Sequence, residues 1–588
     1  MKWYILLYIT IFVRWIVKEV CSMQQNQFVS FLEQYNVLSP NHSKIYDEYM
    51  NKDTGFSFSV ETKISNHLKQ IFENTPHSVI ITGNAGDGKT HLCRIIHDTY
   101  AKENLISWPR EGILDIAYSG GTIRIVKDLS ELQDSVIFRE LKQLQTFIEN
   151  NHSENIYYLI AANEGKLTKF LSKYNEELNI LKELVSKRFY SYEENVKPLS
   201  LINLLDVTTS IYVDRLLELW NKGDKWEICS SCEKKNDCII YLNHTRISQE
   251  RIRDRIVEHY RLLDYLGEHI TMREMIIHMA YVITGGLTCR DILNSDYKRY
   301  VEFSQKIYYE NLFGFHAPEE ALTKMRALKV FRAFDPGDCS ISAIDDFIIN
   351  GDMNIDEGLK EEHHFLFDNK DMDLLKNNFK VGLYMYRSQE LNDSDDFINR
   401  WIKKLRRKLF FESKHSEISQ RRLEMLPYRF LTDYQDIVEG GEKHKNRLSI
   451  KRELIKGFNN LFSKKIVDDK ENVLYAVNEN LMVNGKYDIP MLEIFIEEKR
   501  EDIDRIPSLL EISVGPNIRL KMNLSVFEYV LRLSGGSLLN SSEQDVEILL
   551  NNFKNGLIKQ SNTPDYMLEL LNLNQETGTY TSHQIFFD

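Results

Sequence analysis

SVIITGNAGDGKTHLCRIIHDTY, residues 78–100, decides how the chain is read. Val79–Thr82 is a short apolar run that predicts a buried strand. A loop carrying three glycines follows, Gly83–Gly88, and Lys89-Thr90 opens a helix. Gly83, Gly88, Lys89 and Thr90 fill every fixed position of G-x-x-x-x-G-K-[ST]. Glycines let the backbone turn tightly, so that successive N–H groups point inward at phosphate oxygens. The positive end of the following helix adds to that field. The binding set is therefore Gly83, Asn84, Ala85, Gly86, Asp87, Gly88, Lys89, Thr90 and His91. Lys89 is expected to reach the outer phosphates of ATP, and the Thr90 hydroxyl to ligate Mg²⁺.

Working outward, 588 residues exceed one ordinary core, so several domains are expected. The chain is 43% hydrophobic and 27% charged, which is the balance of a soluble globular protein. A net charge of −13 excludes a global basic field, so any nucleic-acid contact must come from a local patch. Residues 1–22 open on an uncharged run, Trp3–Val13, too short to span a bilayer. They read as an upstream extension before Met23, with a weak membrane anchor as the alternative. A cytoplasmic body is expected, since the loop needs cytosolic nucleotide.

Apolar periodicity divides the rest. Residues 23–54 form an N-terminal helical segment. Residues 55–215 alternate strands (Ile113–Tyr118, Thr122–Val126, Ile156–Ala162, Leu199–Leu205) with helices (Val60–Asn74, Leu132–Asn150). That alternation predicts an α/β core with a mostly parallel sheet, although Ser119-Gly120-Gly121 is a hairpin signal. A cysteine-rich insertion is placed at 216–245, a helical lid at 246–310, a helical domain at 311–430 and a C-terminal domain of mixed strands and helices, α+β in class, at 431–588.

Phosphate chemistry needs an acid near Mg²⁺ at the carboxyl end of a neighbouring strand. Asp128, after Ile123–Val126, is the candidate; Glu131 is a possible water-orienting base. D-x-x-E also fits a helix cap. Asn163, ending Ile156–Ala162, could orient an attacking water, and Glu164 could instead be the base. Thr271 with Glu274 predicts a capping box that starts a helix, so Arg273 lies on its first turn and could neutralise charge on a phosphate. Arg290 and Arg299 are weaker candidates for an arginine offered to a neighbouring subunit.

Cys229-x2-Cys232-x5-Cys238-x5-His244 offers three thiolates and an imidazole, a set that suits structural Zn²⁺; an iron–sulfur cluster is the alternative. Lys403, Lys404, Arg406, Arg407 and Lys408, with Lys414, Arg421 and Arg422, form the strongest basic run, 403–422. Lys443, Lys445, Arg447, Lys451 and Arg452 form a second. Either could touch DNA or serve as a solvated helix face.

GNAGDGKTHL (83–92), IVKDLSEL (125–132), IAANEG (160–165), the CSSC…C insertion and HITMRE (269–274) together resemble a group of bacterial AAA-type P-loop ATPases found in DNA-defence operons, the phosphorothioation-dependent restriction proteins of the DptF type. The likeness covers about residues 75–300. It implies an ATP-hydrolysing subunit that works with other subunits of a restriction complex against foreign DNA. The competing reading is a nucleotide-gated signalling switch that forms a homo-oligomer on binding ATP. A small-molecule kinase is a distant third.

Overall fold

The computed structural model describes residues 25–39, 42, 62–103, 105–190, 197–368, 379–388, 394–440, 447–470, 472–497, 500–537, 544–561 and 566–587. The expected extension at 1–22, and Lys443 and Lys445 of the second basic run, lie outside the described residues. The described chain divides into two compact units. The first holds residues up to 261, with 269–425 and 500–505; the second holds 262–268, 426–499 and 506–588. Most of the regions expected as a lid and a helical domain fall in the first unit with the sheet, while 262–268 and 426–430 fall in the second.

That unit carries five strands: β1 (Ser78–Thr82), β2 (Ile113–Tyr118), β3 (Gly121–Val126), β4 (Ile156–Ala162) and β5 (Leu199–Asn203). Their spatial order is β2-β3-β4-β1-β5. β1 runs parallel to both neighbours, and β3 runs parallel to β4. β2 is antiparallel to β3. The sheet is therefore mixed, because the tight turn at Ser119-Gly120 reverses the chain at once. The helices that matter below are α1 (Gln27–Glu33), α2 (Lys63–Asn74), α3 (Lys89–Tyr100), α4 (Asp134–Glu149), α5 (Glu164–Lys173), α6 (Asn179–Tyr190), α7 (Thr209–Trp220), α8 (Ile239–Ile247), α9 (Glu250–Leu266), α10 (Met272–Thr284), α11 (Cys289–Leu293) and α12 (Ser394–Glu412).

Strand alternation explains the two-sided core. Val79 and Ile81 of β1, with Leu159 and Ala161 of β4, join the apolar faces of α2 and α3 in one cluster. Ile80, Tyr158, Ile160, Leu199 and Leu201 point the other way and meet α4, α5 and α6. All five residues of β1 are buried, so this strand reads as a continuous apolar run.

Residues 500–505 enter the first cluster from far along the chain. Ile503 is fully buried among Val79, Ile81 and Ile202. Asp504 accepts hydrogen bonds from the Lys63 backbone N–H (2.7 Å) and the Tyr212 hydroxyl (2.9 Å). Arg500 donates to Asp206 Oδ2 at 2.8 Å, and Arg505 to the Asp206 carbonyl at 2.8 Å.

The second unit is antiparallel. β8 (Leu492–Ile496), β9 (Leu510–Val514) and β10 (Ile518–Met522) form one small sheet. β6 (Val473–Val477) pairs with β7 (Val483–Asp488), and β11 (Met567–Leu573) with β12 (Tyr580–Phe586). Helices α13 (Arg447–Ser463), α14 (Leu524–Ser534) and α15 (Gln544–Gln560) accompany them. Helices beside antiparallel sheets are the expected α+β arrangement, and no strand pair here is parallel apart from a single bridge, Val467–Tyr580, among the described residues. Among the described residues no helix is long and apolar enough to cross a membrane.

Two outcomes follow from this packing. Ile503→Ala should lower stability by about 2–5 kcal/mol, read as a shift of the urea unfolding midpoint. An unchanged midpoint would show that the segment is not part of the core. Stability should also fall in mild acid. Burial lowers His259 to about 3, with the charge of His278 adding to it, and burial lowers His278 and His244 each to about 4. These values lie below the ordinary 6.5, so the unfolded chain binds more protons in between. The contribution is complete above pH 6.5 and is lost as pH drops toward 4. His259 sits among Phe313, Phe331, Phe334, Phe410 and Phe411 with neither ring nitrogen hydrogen-bonded. His259→Phe should flatten the stability–pH profile; an equally steep profile in the variant would sink this account.

Candidate functional site

The carboxyl ends of the parallel strands share one edge of the sheet. Thr82 stands level with Ala162 and Asn203, and Val126 with Ile160. Open α/β sheets bind ligands at that edge. The loops that leave it are Gly83–Gly88, Lys127–Glu131 and Asn163–Glu164, which carry the candidates.

Gly83–Gly88 leads from β1 into α3. Gly88 caps the helix at φ +92°, a left-handed conformation with open space around it. Gly86, at φ +101°, meets a crowded neighbour: a Cβ there would lie 3.1 Å from Arg273 Cβ and from Thr271 Oγ1. The start of α10 therefore rests on the tip of the loop, and the Arg273 backbone N–H donates to the Gly86 carbonyl at 3.1 Å. The expected capping box is present: Glu274 N–H donates to Thr271 Oγ1, and Thr271 N–H to Glu274 Oε2.

Lys89 is buried and curls back into the loop. Its Nζ donates to the carbonyls of Gly83 (2.9 Å) and Asn84 (2.7 Å). Burial lowers its ammonium below the ordinary value; the carboxylates of Asp128 and Asp87 oppose that shift and Arg273 adds to it. Asp128 and Arg273 thus act on Lys89 through space, although they lie 39 and 184 positions away in sequence. Asp87 accepts from Asn84 N–H at 2.6 Å through one oxygen and pairs with His269 Nε2 at 2.8 Å through the other. Thr90 and His91 sit half-buried on the first turn of α3.

The other candidates have structural partners. Asp128 caps a short 3-10 turn, Leu129–Glu131, by accepting from Ser130 N–H at 2.7 Å. β4 lies between its strand and β1, so Asp128 is not on the immediate neighbour that the sequence suggested. At about 4.8 Å per strand this places it two strands across. Glu131 pairs with Lys127 at 2.9 Å. Asn163 caps α5 by accepting from Lys166 N–H at 3.2 Å, and Glu164 begins that helix. Lys166 Nζ donates to the Ser130 carbonyl at 3.0 Å, which ties the ends of β3 and β4 together. Arg290 and Arg299 are exposed. Sequence reading passed over His269 and Lys166. His269 stands directly before the ITMRE cap, but its partner Asp87 is 182 residues away, a pairing that no local signal reveals.

At the cysteine insertion, Cys229, Cys232 and Cys238 carry free thiols. His244, expected as the fourth ligand, is engaged differently. Its ring stacks on Trp226 at 4.1 Å between centroids, and its Nδ1 bonds Asn221 Oδ1 at 2.8 Å. Among the described residues no three His, Cys, Asp or Glu side chains are grouped to hold a metal ion as they stand.

The basic run at 403–408 turns inward. Lys404, Arg406, Arg407 and Lys408 are buried; Lys403 is exposed and pairs with Asp338. Arg407 donates to both oxygens of Asp335 and to Glu310, over the face of Phe315. Arg406 forms a two-point pair with Asp345. Lys408 and Arg246 share Glu412. Burial opposes ionisation of Glu310, yet the His316 hydrogen bond and the charges of Lys404 and Arg407 hold its carboxyl at about 2. Arg422 pairs with Glu258 and Arg421 with Glu424, while Lys414 lies over Phe365. Lys404, Arg406, Arg407 and Lys408 are thus committed to the interior and are not offered to a phosphate backbone.

Arg407→Ala would leave Asp335 buried without its counter-charge and Glu310 with only Lys404 and His316. The expected loss is about 3–5 kcal/mol of unfolding free energy in a denaturant titration. A loss within the range of a surface pair, under about 1 kcal/mol, would contradict the buried-network reading.

Comparison of the chain with protein-family models, with curated proteins and with solved structures found no match.

Proposed function

We propose that the chain binds and hydrolyses ATP as the motor subunit of a DNA-processing or restriction complex in anti-phage defence. The observation that carries the ATPase part is the convergence on Lys89. The glycine loop and the first turn of α10 adjoin one buried ammonium, and the Asp128 carboxylate acts on it through space, at the carboxyl edge of the parallel strands. Such a strand edge and loop, followed by a helix that rests on the loop tip, suit an AAA-type hydrolytic core with a helical lid.

The residues present fit a triphosphate. Lys89 is held on two neutral carbonyls, which phosphate oxygens can replace as stronger partners for an ammonium. Thr90 stands on the first turn of α3, where its hydroxyl can reach a cation. A bound Mg²⁺ would neutralise the developing charge on the phosphates. Asp128, with β4 between its strand and β1, suits contact through a metal-bound water. Asn163, Glu164 and Glu131 are the candidates to orient the attacking water, and Arg273 to stabilise the departing charge. Asp87, clamped by His269, keeps the loop shaped.

The defence and DNA parts rest on the family resemblance, with other restriction subunits as partners and DNA as the target. The runner-up, an ATP-gated switch that oligomerises, uses the same loop and lid without rapid turnover.

Steady-state ATPase assays of the full chain test this reading. Lys89→Ala should lower kcat at least about 10²-fold, as loss of a preorganised charge does at the transition state. DNA should stimulate the wild-type rate. Turnover unaffected by Lys89→Ala would overturn the ATPase assignment; ATP-driven assembly without DNA stimulation would favour the switch.

A further inference from the structure

Between Glu227 and Cys238 no residue is buried. The two single turns in this stretch, Glu227–Ser230 and Lys235–Asp237, have neither a buried residue nor a side-chain cap. Its apolar residue Ile228 is 39% exposed. Ordering a backbone costs about 1–2 kcal/mol per residue, and isolated turns do not offset it. Backbone hydrogen bonds link Cys229 to Trp226, Cys232 to Cys229 and Lys235 to Cys232, but each closes only one turn. Asp237 bonds the Tyr300 hydroxyl and Lys235 lies over the Tyr241 ring, and both contacts fall at the end of the stretch; its first part has the half-buried thiols Cys229 and Cys232.

A fourth thiol joins them. Cys289 begins α11, fifty-one residues after Cys238. Asn26, just before α1, links it to the loop. Its Nδ2 donates to Cys229 Sγ at 3.2 Å, and its backbone N–H donates to the Cys289 sulfur. The first-turn backbone N–H groups of α8, at Ile240 and Tyr241, act on the Cys238 sulfur through space, without a cap hydrogen bond. N–H groups directed at sulfur support thiolate ligands from the second shell of a metal centre. Cys289 and Cys229 lie near enough to Cys238, and Cys229 and Cys232 near enough to Cys289, for each sulfur to feel the others. Four thiols drawn from two segments of the chain are the donor set of a closed tetrahedral Zn²⁺ site.

We propose that Cys229, Cys232, Cys238 and Cys289 form a structural Zn²⁺ site that staples the insertion to the start of α11, in place of a site completed by His244. Binding releases the thiol protons to solvent and leaves a closed four-sulfur shell with no open position for a substrate. The sulfurs must close in to ligand spacing, and that movement falls on a loop with no apolar anchor. His244 keeps its stack on Trp226 and supports the site as packing.

Elemental analysis of the purified full chain should find about one zinc per chain. A mercurial thiol reagent should release it, read with a chromogenic zinc dye, in step with four of the seven cysteines. Cys289→Ser and Cys232→Ser should lose the metal, and His244→Gln should keep it. If Cys289→Ser does not fold, protection of four thiols in the wild-type chain, lost on chelation, still carries the test. The proposal is overturned by a chain that takes up no zinc on refolding with excess metal. It is overturned equally by iron with acid-labile sulfide, or by zinc that survives Cys289→Ser and leaves with His244→Gln.

Discussion

A central strand buried on both faces is the constraint from which the first unit follows. β1 cannot be covered from one side only, so its neighbours must be strands and its two faces must meet helices. A parallel neighbour requires a crossover, and each crossover deposits its loop at the same edge. The Gly83–Gly88 loop, the Asp128 turn and the Asn163 cap are consequences of that geometry. The burial that makes Val79–Ile81 apolar is also what delivers polar groups to the strand ends.

The tip of that loop is then occupied by a second element. Gly86 carries the start of α10 on its carbonyl, and Asp87 is held by His269 just ahead of it. Any change in the shape of the loop must move these contacts or break them. The start of α10 is thereby coupled to the shape of the loop.

Much of the sheet was legible because its signals are local. Ile156–Ala162 and Ile113–Tyr118 are apolar runs bounded by turn residues, and the structure has strands with those bounds. The hairpin turn at Ser119-Gly120 was also visible, but not that it would sit at the sheet edge with β3 still parallel to β4. α8 was hidden inside the cysteine spacing, since Ile239–Ile247 shows little one-sided periodicity. In the C-terminal unit β7, with its exposed Lys486, and β12, with a largely exposed face, lack the apolar runs that betray strands. The candidate site was legible where residues are contiguous, as in Gly83–His91, and illegible where partners are distant, as with His269 and Cys289. The 403–408 run misled for a related reason: a string of lysines and arginines does not reveal that Asp335, Glu310, Asp345 and Glu412 will meet it.

The short segment Arg500–Arg505 has a consequence for how the molecule is made. Its Ile503 belongs to the same apolar cluster as the strand that bears the phosphate loop, more than four hundred residues earlier in the chain. A ribosome releases that strand long before it releases Ile503. The sheet must wait, with one place in its core unfilled, while the helical region and the first strands of the other unit are translated. Vectorial synthesis therefore cannot finish this unit domain by domain, and the nascent chain spends that interval exposed to whatever chaperones guard unfilled apolar surface.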